Sequence, residues 1–312
     1  ADQALHDAGR ANIGASQRPP PATYGRGFAC RPRRGTMAPG KGRVMVEKGE
    51  RKPLRLGTAQ FDAVAGDIAA NAASHARLIE QAGDRGVDVL VFPELSLGGY
   101  DLDGLARDPE RYIVDPDGPA LTPVRDACRR HGVIAVAGGC LPNRRGMGLS
   151  ALVFGRDGGL LTSYDKRHLD GPERDHFVPG TAPSLLEVDG WRLGLGICYD
   201  ASFPEHAREL AMGGAAAYLV SGAFFRGESE HRRGVYFPAR ALENTIYVAF
   251  ANYVGSHGGL RYAGRSTIHG PDGRLLADAG PDRPGLAVAE IYREKLAQTR
   301  ERLPMLRDRM ED

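Results

Sequence analysis

Val87-Asp-Val-Leu-Val-Phe-Pro-Glu94 is a nearly unbroken apolar run that stops at a proline and a carboxylate. It lacks the alternation of a half-solvated strand, so it reads as a strand covered on both faces, as in a parallel sheet flanked by helices. Upstream, residues 54–61 read as a strand. Residues 71–86 read as a helix, with a stripe at Ala72, Ala76 and Ile79 flanked by Leu78 and Ala82. Downstream come a helix at 121–131 and a strand at 133–137. Strands at 149–154 and 160–164 flank Arg156-Asp-Gly-Gly159, a hairpin signal. A strand at 193–197, a helix at 203–212, a strand at 218–221 and a helix ending at Asn244 follow. That last helix has a candidate start at Phe237, because Pro238 fits a first turn. A strand at 246–251 and a hairpin turning at Pro271-Asp-Gly273 complete the series. This rhythm predicts an α/β protein of layered sheets with outer helices. There is no internal repeat after Pro53.

The 312 residues include 42 Gly and 21 Pro, a fifth of the chain against an average near 12%. At 42% hydrophobic, a chain this long can bury a sizeable core. Charge divides it. Residues 1–53 carry 11 Lys and Arg against 4 Asp and Glu, while residues 54–312 carry 30 against 35. The first 53 residues, with 6 Pro, 8 Gly and no apolar period, read as a disordered basic leader. A basic arm, a targeting segment, or a translation start truly at Met37 or Met45 would each account for it. Residues 292–312 read as a charged, helix-like terminal arm, leaving residues 54–291 as the domain.

Several chemistries lose their usual signals. The mildly acidic body has no electrostatic footprint for nucleic acid. The longest weakly polar stretch, residues 213–225, is too short for a membrane span. Cys30, Cys128, Cys140 and Cys198 are too scattered for a disulfide framework or structural zinc, and the cytoplasm is the expected compartment. There is no G-x-G-x-x-G, no P-loop in the body, no H-E-x-x-H and no G-x-S-x-G.

Three predicted strands end in reactive residues: Glu94 after residues 89–92, Lys166 in Tyr164-Asp-Lys-Arg-His-Leu169, and Cys198 in Gly196-Ile-Cys-Tyr-Asp200. Ligands of α/β sheets bind beyond the carboxyl ends of strands. Singly, each has an ordinary reading: a cap, a solvated charge, a small core hydrophobe. Together they supply a base, a cation to favour thiolate and oxyanion, and a thiol.

At these residues the sequence resembles the nitrilase superfamily of carbon–nitrogen hydrolases, in its amidase-like branch. The resemblance runs through Phe92-Pro-Glu94, Tyr164–Leu169, Phe177-Val-Pro-Gly180, Gly196–Asp200, Phe203-Pro-Glu205, Arg240-Ala-Leu-Glu-Asn244 and Ala251-Asn252. It implies an α-β-β-α sandwich, pairing into homodimers or higher homo-oligomers, with no metal or cofactor. It carries the Glu-Lys-Cys triad onto Glu94, Lys166 and Cys198. The second family glutamate falls on Glu173, because Glu187 is too late. Tyr100, Tyr199 and Phe224 are candidate substrate-binding residues. His168 reads as holding backbone, and Cys128 and Cys140 as packing.

The implied reaction converts a small amide and water to a carboxylate and ammonia through a cysteine thioester. Glu94, its pKa raised towards neutrality by burial, is the expected base. The same residues would serve an N-carbamoyl amine or a nitrile. However, Cys198-Tyr-Asp200 is closer to the amidase branches than to the nitrile-cleaving one, where Trp-Glu usually follows the cysteine. A non-catalytic binding protein on this fold is the third reading. Branches acting on α-keto-acid amides or deaminated glutathione carry an Arg two residues before the Phe-Pro-Glu proline. Here that slot is Ser202, which weakens those substrates.

Overall fold

The computed structural model describes residues 52–310. The expectations for the leader and for Cys30 fall outside the described residues. In the first half, β1 (Leu54–Gln60), α1 (Ile68–Asp84), β2 (Val89–Val91), α2 (Leu102–Arg107), α3 (Thr122–His131), β3 (Ile134–Asn143), β4 (Gly146–Phe154) and β5 (Leu160–Asp165) follow in order. The second half contains β6 (Leu185–Val188), β7 (Trp191–Ile197), α4 (Pro204–Met212), β8 (Ala217–Ser221), α5 (Glu228–Asn244) and β9 (Tyr247–Ala251). It continues with β10 (Ser256–His257), β11 (Leu260–Arg261), β12 (Thr267–His269), β13 (Leu275–Asp278), β14 (Gly285–Ile291) and α6 (Arg293–Arg302).

The two large sheets run β14-β1-β2-β3-β4-β5 and β6-β7-β8-β9-β12-β13. Read this way they share one pairing pattern: an antiparallel edge, two parallel pairings, then two antiparallel ones. The two sheets thus share a pairing pattern without a sequence repeat, although β14 reaches the first sheet from the far end of the domain. Three apolar clusters define the layers. Leu56, Val91 and Val136 of the first sheet pack with Leu195, Leu219 and Ala249 of the second. The other face of the first sheet packs on Ile79, Ala82, Val124 and Cys128 of α1 and α3. The other face of the second packs on Leu210, Phe237 and Ala241 of α4 and α5. The order is therefore helix, sheet, sheet, helix: the α-β-β-α sandwich expected. Parallel strands buried on both faces explain why 87–92 and 193–197 read as continuous apolar runs.

Local chemistry sets most boundaries. Asp67 caps α1 by accepting from Ala70 N at 2.9 Å, which starts the helix at Ile68 rather than residue 71. The expected helix start at Phe237 is wrong: α5 begins at Glu228 and carries Pro238 inside it. The carbonyl that the proline ring crowds belongs to Gly234, which has no side chain to add to the clash. Cys140 lies within β3, buried, and pairs with Leu149. β14 pairs with β1 from Leu54↔Ile291 to Gln60↔Gly285, a contact too distant in sequence for local pattern to reveal. After Tyr292, α6 covers Arg293–Arg302. It is docked: α6 buries Leu296 and Thr299, and Arg300 donates to the carbonyls of Thr245 and Ala215. Among the described residues, no helix is long and apolar enough to cross a membrane.

Candidate active site

Glu94 sits in the turn that ends β2. Leu95 takes a left-handed φ of 52°, and the turn lies directly on β3. A Cβ at Gly138 would stand 2.3 Å from Leu95 N and 2.6 Å from Pro93 O, so glycine there is what lets the turn approach. The second sheet holds the other side. Tyr253 Oη donates to Glu94 O at 2.6 Å, and Glu94 N donates to Gly222 O at 3.2 Å. Glu94 is therefore fixed between the ends of β2 and β8.

Lys166 follows β5, its backbone N on Leu149 O and its carbonyl accepting from Gly180 N, both at 2.8 Å. Its ammonium is fully buried. Nζ donates to Glu94 Oε1 at 2.6 Å and to both oxygens of Glu173, at 2.7 and 2.8 Å. Glu173 stands in the 3₁₀ turn Gly171–Asp175 and also accepts from Tyr100 Oη at 2.9 Å and Asp170 N at 2.8 Å. Glu187 lies in β6, bonded to Arg192 at the surface.

Cys198 ends β7 with a left-handed φ of 42° and opens the 3₁₀ turn Cys198–Ser202. A β-bearing residue in that conformation is strained and must be held by its surroundings. Asp200 does so. Its Oδ2 accepts from Ile197 N at 3.0 Å and Tyr164 Oη at 2.7 Å. Its Oδ1 accepts from His168 N at 3.0 Å and lies 2.8 Å from His168 Nδ1. One carboxylate thereby ties the thiol-bearing turn to the segment carrying Lys166. His206 extends the network, with Nε2 2.8 Å from Tyr164 Oη and Nδ1 3.0 Å from Tyr218 Oη. Arg240 of α5 donates to Ala201 O and Ser202 O, closing the turn from behind.

Burial pushes the Glu94 carboxyl up to about 8 against the pull of Lys166. Burial would lower Lys166, but Glu94 and Glu173 outweigh it and hold the ammonium above its ordinary range. Burial and then Glu94 push the Cys198 thiol well up, and Lys166 only partly opposes them. Lys166 favours the thiolate, but less than burial and Glu94 oppose it. The thiol needs a base. Glu94 Oε2 is buried without a conventional partner, and the nearby thiol is among the groups that favour the ionised carboxylate. Asp200 differs: burial would raise it, but His168, His206 and Tyr164 hold it below the usual carboxylate range.

A narrow cavity of about 40 Å³ opens over Cys198, with Tyr100, Glu173, Tyr199 and Phe224 in its wall. All three candidate substrate-binding residues therefore border the thiol. Asn252 clamps Phe224 by accepting from its N at 2.8 Å and donating to its carbonyl at 3.0 Å. A larger depression of about 430 Å³ shares Tyr199 but contains none of Glu94, Lys166 or Cys198, so volume alone does not mark the site. His168 holds Asp200, while Cys128 and Cys140 are buried away from the cavity. Asp200, Tyr253 and Arg232, another wall residue, were given no role by the sequence reading. A carboxylate two residues after the thiol was the one local signal for Asp200. Among the described residues no group of three or more His, Cys, Asp or Glu is arranged to hold a metal ion.

Residues 55–301 match the family model for carbon–nitrogen hydrolases. The 2-oxoglutaramate amidase of Bacillus subtilis is 32% identical over 257 residues, covering 81% of this chain and 96% of its own length. A hydrolase encoded in the pqqF 5′ region of Pseudomonas protegens is 34% identical over 251 residues, 78% of this chain and 84% of its own. A double mutant of the amidase from Nesterenkonia sp. AN1, solved with acrylamide, superposes with a TM-score of 0.71 at 31% identity, covering 85% of this chain and 96% of that one. Another mutant of that amidase carries the acetamide moiety of fluoroacetamide covalently at its active-site cysteine. With the sandwich, the family match and these relatives in agreement, this chain belongs to the carbon–nitrogen hydrolase family, in the amidase-like branch of the nitrilase superfamily.

Proposed function

We propose that this amidase-type hydrolase cleaves the C–N bond of a small linear amide through a thioester on Cys198. The observation that carries the reading is the buried cluster in which Lys166 Nζ meets Glu94 at 2.6 Å and Glu173 at 2.7 Å beside the thiol. Glu94 takes the thiol proton as sulfur bonds to the carbonyl carbon. The oxyanion forms against Lys166 and the backbone N–H of Tyr199, whose place in a first helical turn leaves it without an intrahelical partner. As the C–N bond breaks, Glu94 returns the proton to nitrogen and ammonia leaves. Glu94 then takes a proton from water as its oxygen attacks the thioester. The C–S bond breaks, the acid departs, and the sulfur recovers the proton. Glu173 orients Lys166 through its two contacts.

Two facts support this reading. The covalently modified cysteine of the Nesterenkonia amidase points to Cys198 as nucleophile. The cavity of about 40 Å³ suits a short acyl group, given roughly 10–15 Å³ for one water on the same scale. A panel of short amides, N-carbamoyl amines and nitriles scored for ammonia tests it. Short amides are expected to lead. Release from nitriles or carbamoyl amines alone, or from nothing, would overturn the reading.

The pH profile follows from the base. Glu94 must be ionised to act, and burial places its carboxyl at about 8. Below that pH, kcat/KM should therefore fall about tenfold per pH unit, the behaviour of one essential proton. A profile already flat from pH 6 upward would show that the base has an ordinary carboxylate pKa.

A further inference from the structure

Three charged side chains line the cavity over Cys198: Asp170, Glu173 and Arg232. Two are committed. Glu173 serves Lys166 and Tyr100, and Asp170 opens the 3₁₀ turn that carries Glu173, its backbone N donating to Glu173 Oε2. Arg232 is not. Its Nε is buried without a hydrogen-bond partner, and among the described residues no carboxylate pairs with its guanidinium. A desolvated, unpaired donor is costly unless something fills it. Ser229, Arg232 and Tyr236 are spaced to share one face of α5, and all three reach the cavity wall. Phe224 supplies an apolar stretch of the same wall. Ser202 also lines the wall and carries no charge, so Arg232 of α5 is the one cation in that wall among the described residues.

Building on the amide-hydrolase reading, we infer that Arg232 selects a short amide whose acyl chain ends in a carboxylate. The scissile carbonyl lies at Cys198, the methylenes lie along Phe224, and the carboxylate meets the guanidinium beside the Ser229 and Tyr236 hydroxyls. A planar guanidinium matches a carboxylate through two parallel hydrogen bonds. The cavity, about 40 Å³, favours a carboxylate over the bulkier phosphate.

The test compares kcat/KM for succinamate with that for butyramide on the same enzyme preparation, so the ratio does not depend on how much protein folds. The wild-type ratio is expected to favour succinamate at least tenfold. Arg232→Met should lower that ratio at least tenfold, mainly through the KM of succinamate, and Arg232→Lys should lower it less. Arg232→Glu should turn the preference towards 4-aminobutanamide. A wild type that turns over butyramide as well as succinamate, or a ratio unmoved in all three variants, overturns the role of Arg232 and leaves amide hydrolysis standing. A wild type releasing ammonia from no amide overturns both.

Discussion

Cys198→Ala is expected to lower amide turnover at least about 10³-fold, because no other group can form the acyl-enzyme. The fold should survive. Alanine keeps the Cβ, so the left-handed φ of 42° is no more strained than before, and the Asp200 contacts that hold the turn involve none of the sulfur. Rapid acid quench of the wild type with a slow amide should trap one acyl adduct by intact mass, absent in the variant. Cys128→Ala and Cys140→Ala are the controls. Burial pushes both thiols up to about 12, and neither lines the cavity. Each should retain turnover and cost about 1 kcal/mol of stability from lost apolar burial. Turnover surviving at more than a few per cent in Cys198→Ala would end the thioester mechanism. Loss of turnover in a folded Cys128 or Cys140 variant would move the nucleophile.

The strand ends at Glu94 and Cys198 were legible because buried apolar runs stop there at a polar residue, whereas Lys166 follows a largely exposed edge strand and was marked by its motif. Their convergence was not. Glu94 and Lys166 belong to one sheet and Cys198 to the other, so their meeting depends on how the sheets face. Asp200 shows the same limit. Its residue type was visible two positions after the thiol, but its bonds to Tyr164 and His168 cross between the two halves. The α5 error had a local cause with a wider effect. Weighting Pro238 as a helix start removed the turns that carry Ser229 and Arg232, and with them the face that borders the cavity. β14 was missed because its partner lies at the other end of the domain, and its half-exposed pattern carries little periodicity.

Lys166→Met and Glu94→Gln should both be inactive yet differ in how fast Cys198 is alkylated at neutral pH. Lys166 lowers the thiol pKa and Glu94 raises it, so removing them acts in opposite directions. Glu94→Gln cannot take or return a proton, which blocks both acylation and hydrolysis. It leaves Lys166 beside Glu173, however, so the cation that lowers the thiol pKa stays in place. Lys166→Met takes away the cation. Each unit that the thiol pKa rises costs tenfold in thiolate, the species that reacts, so alkylation should be at least tenfold slower than in Glu94→Gln. The same change leaves two buried carboxylates without their shared partner, a loss of about 3–5 kcal/mol that threatens the fold. Lys166→Met/Glu173→Gln removes one of those charges and provides a folded comparison with the cation still absent. Equal alkylation rates across the folded variants would mean that the Lys166 charge does not act on Cys198, and its place as oxyanion partner would fall with it.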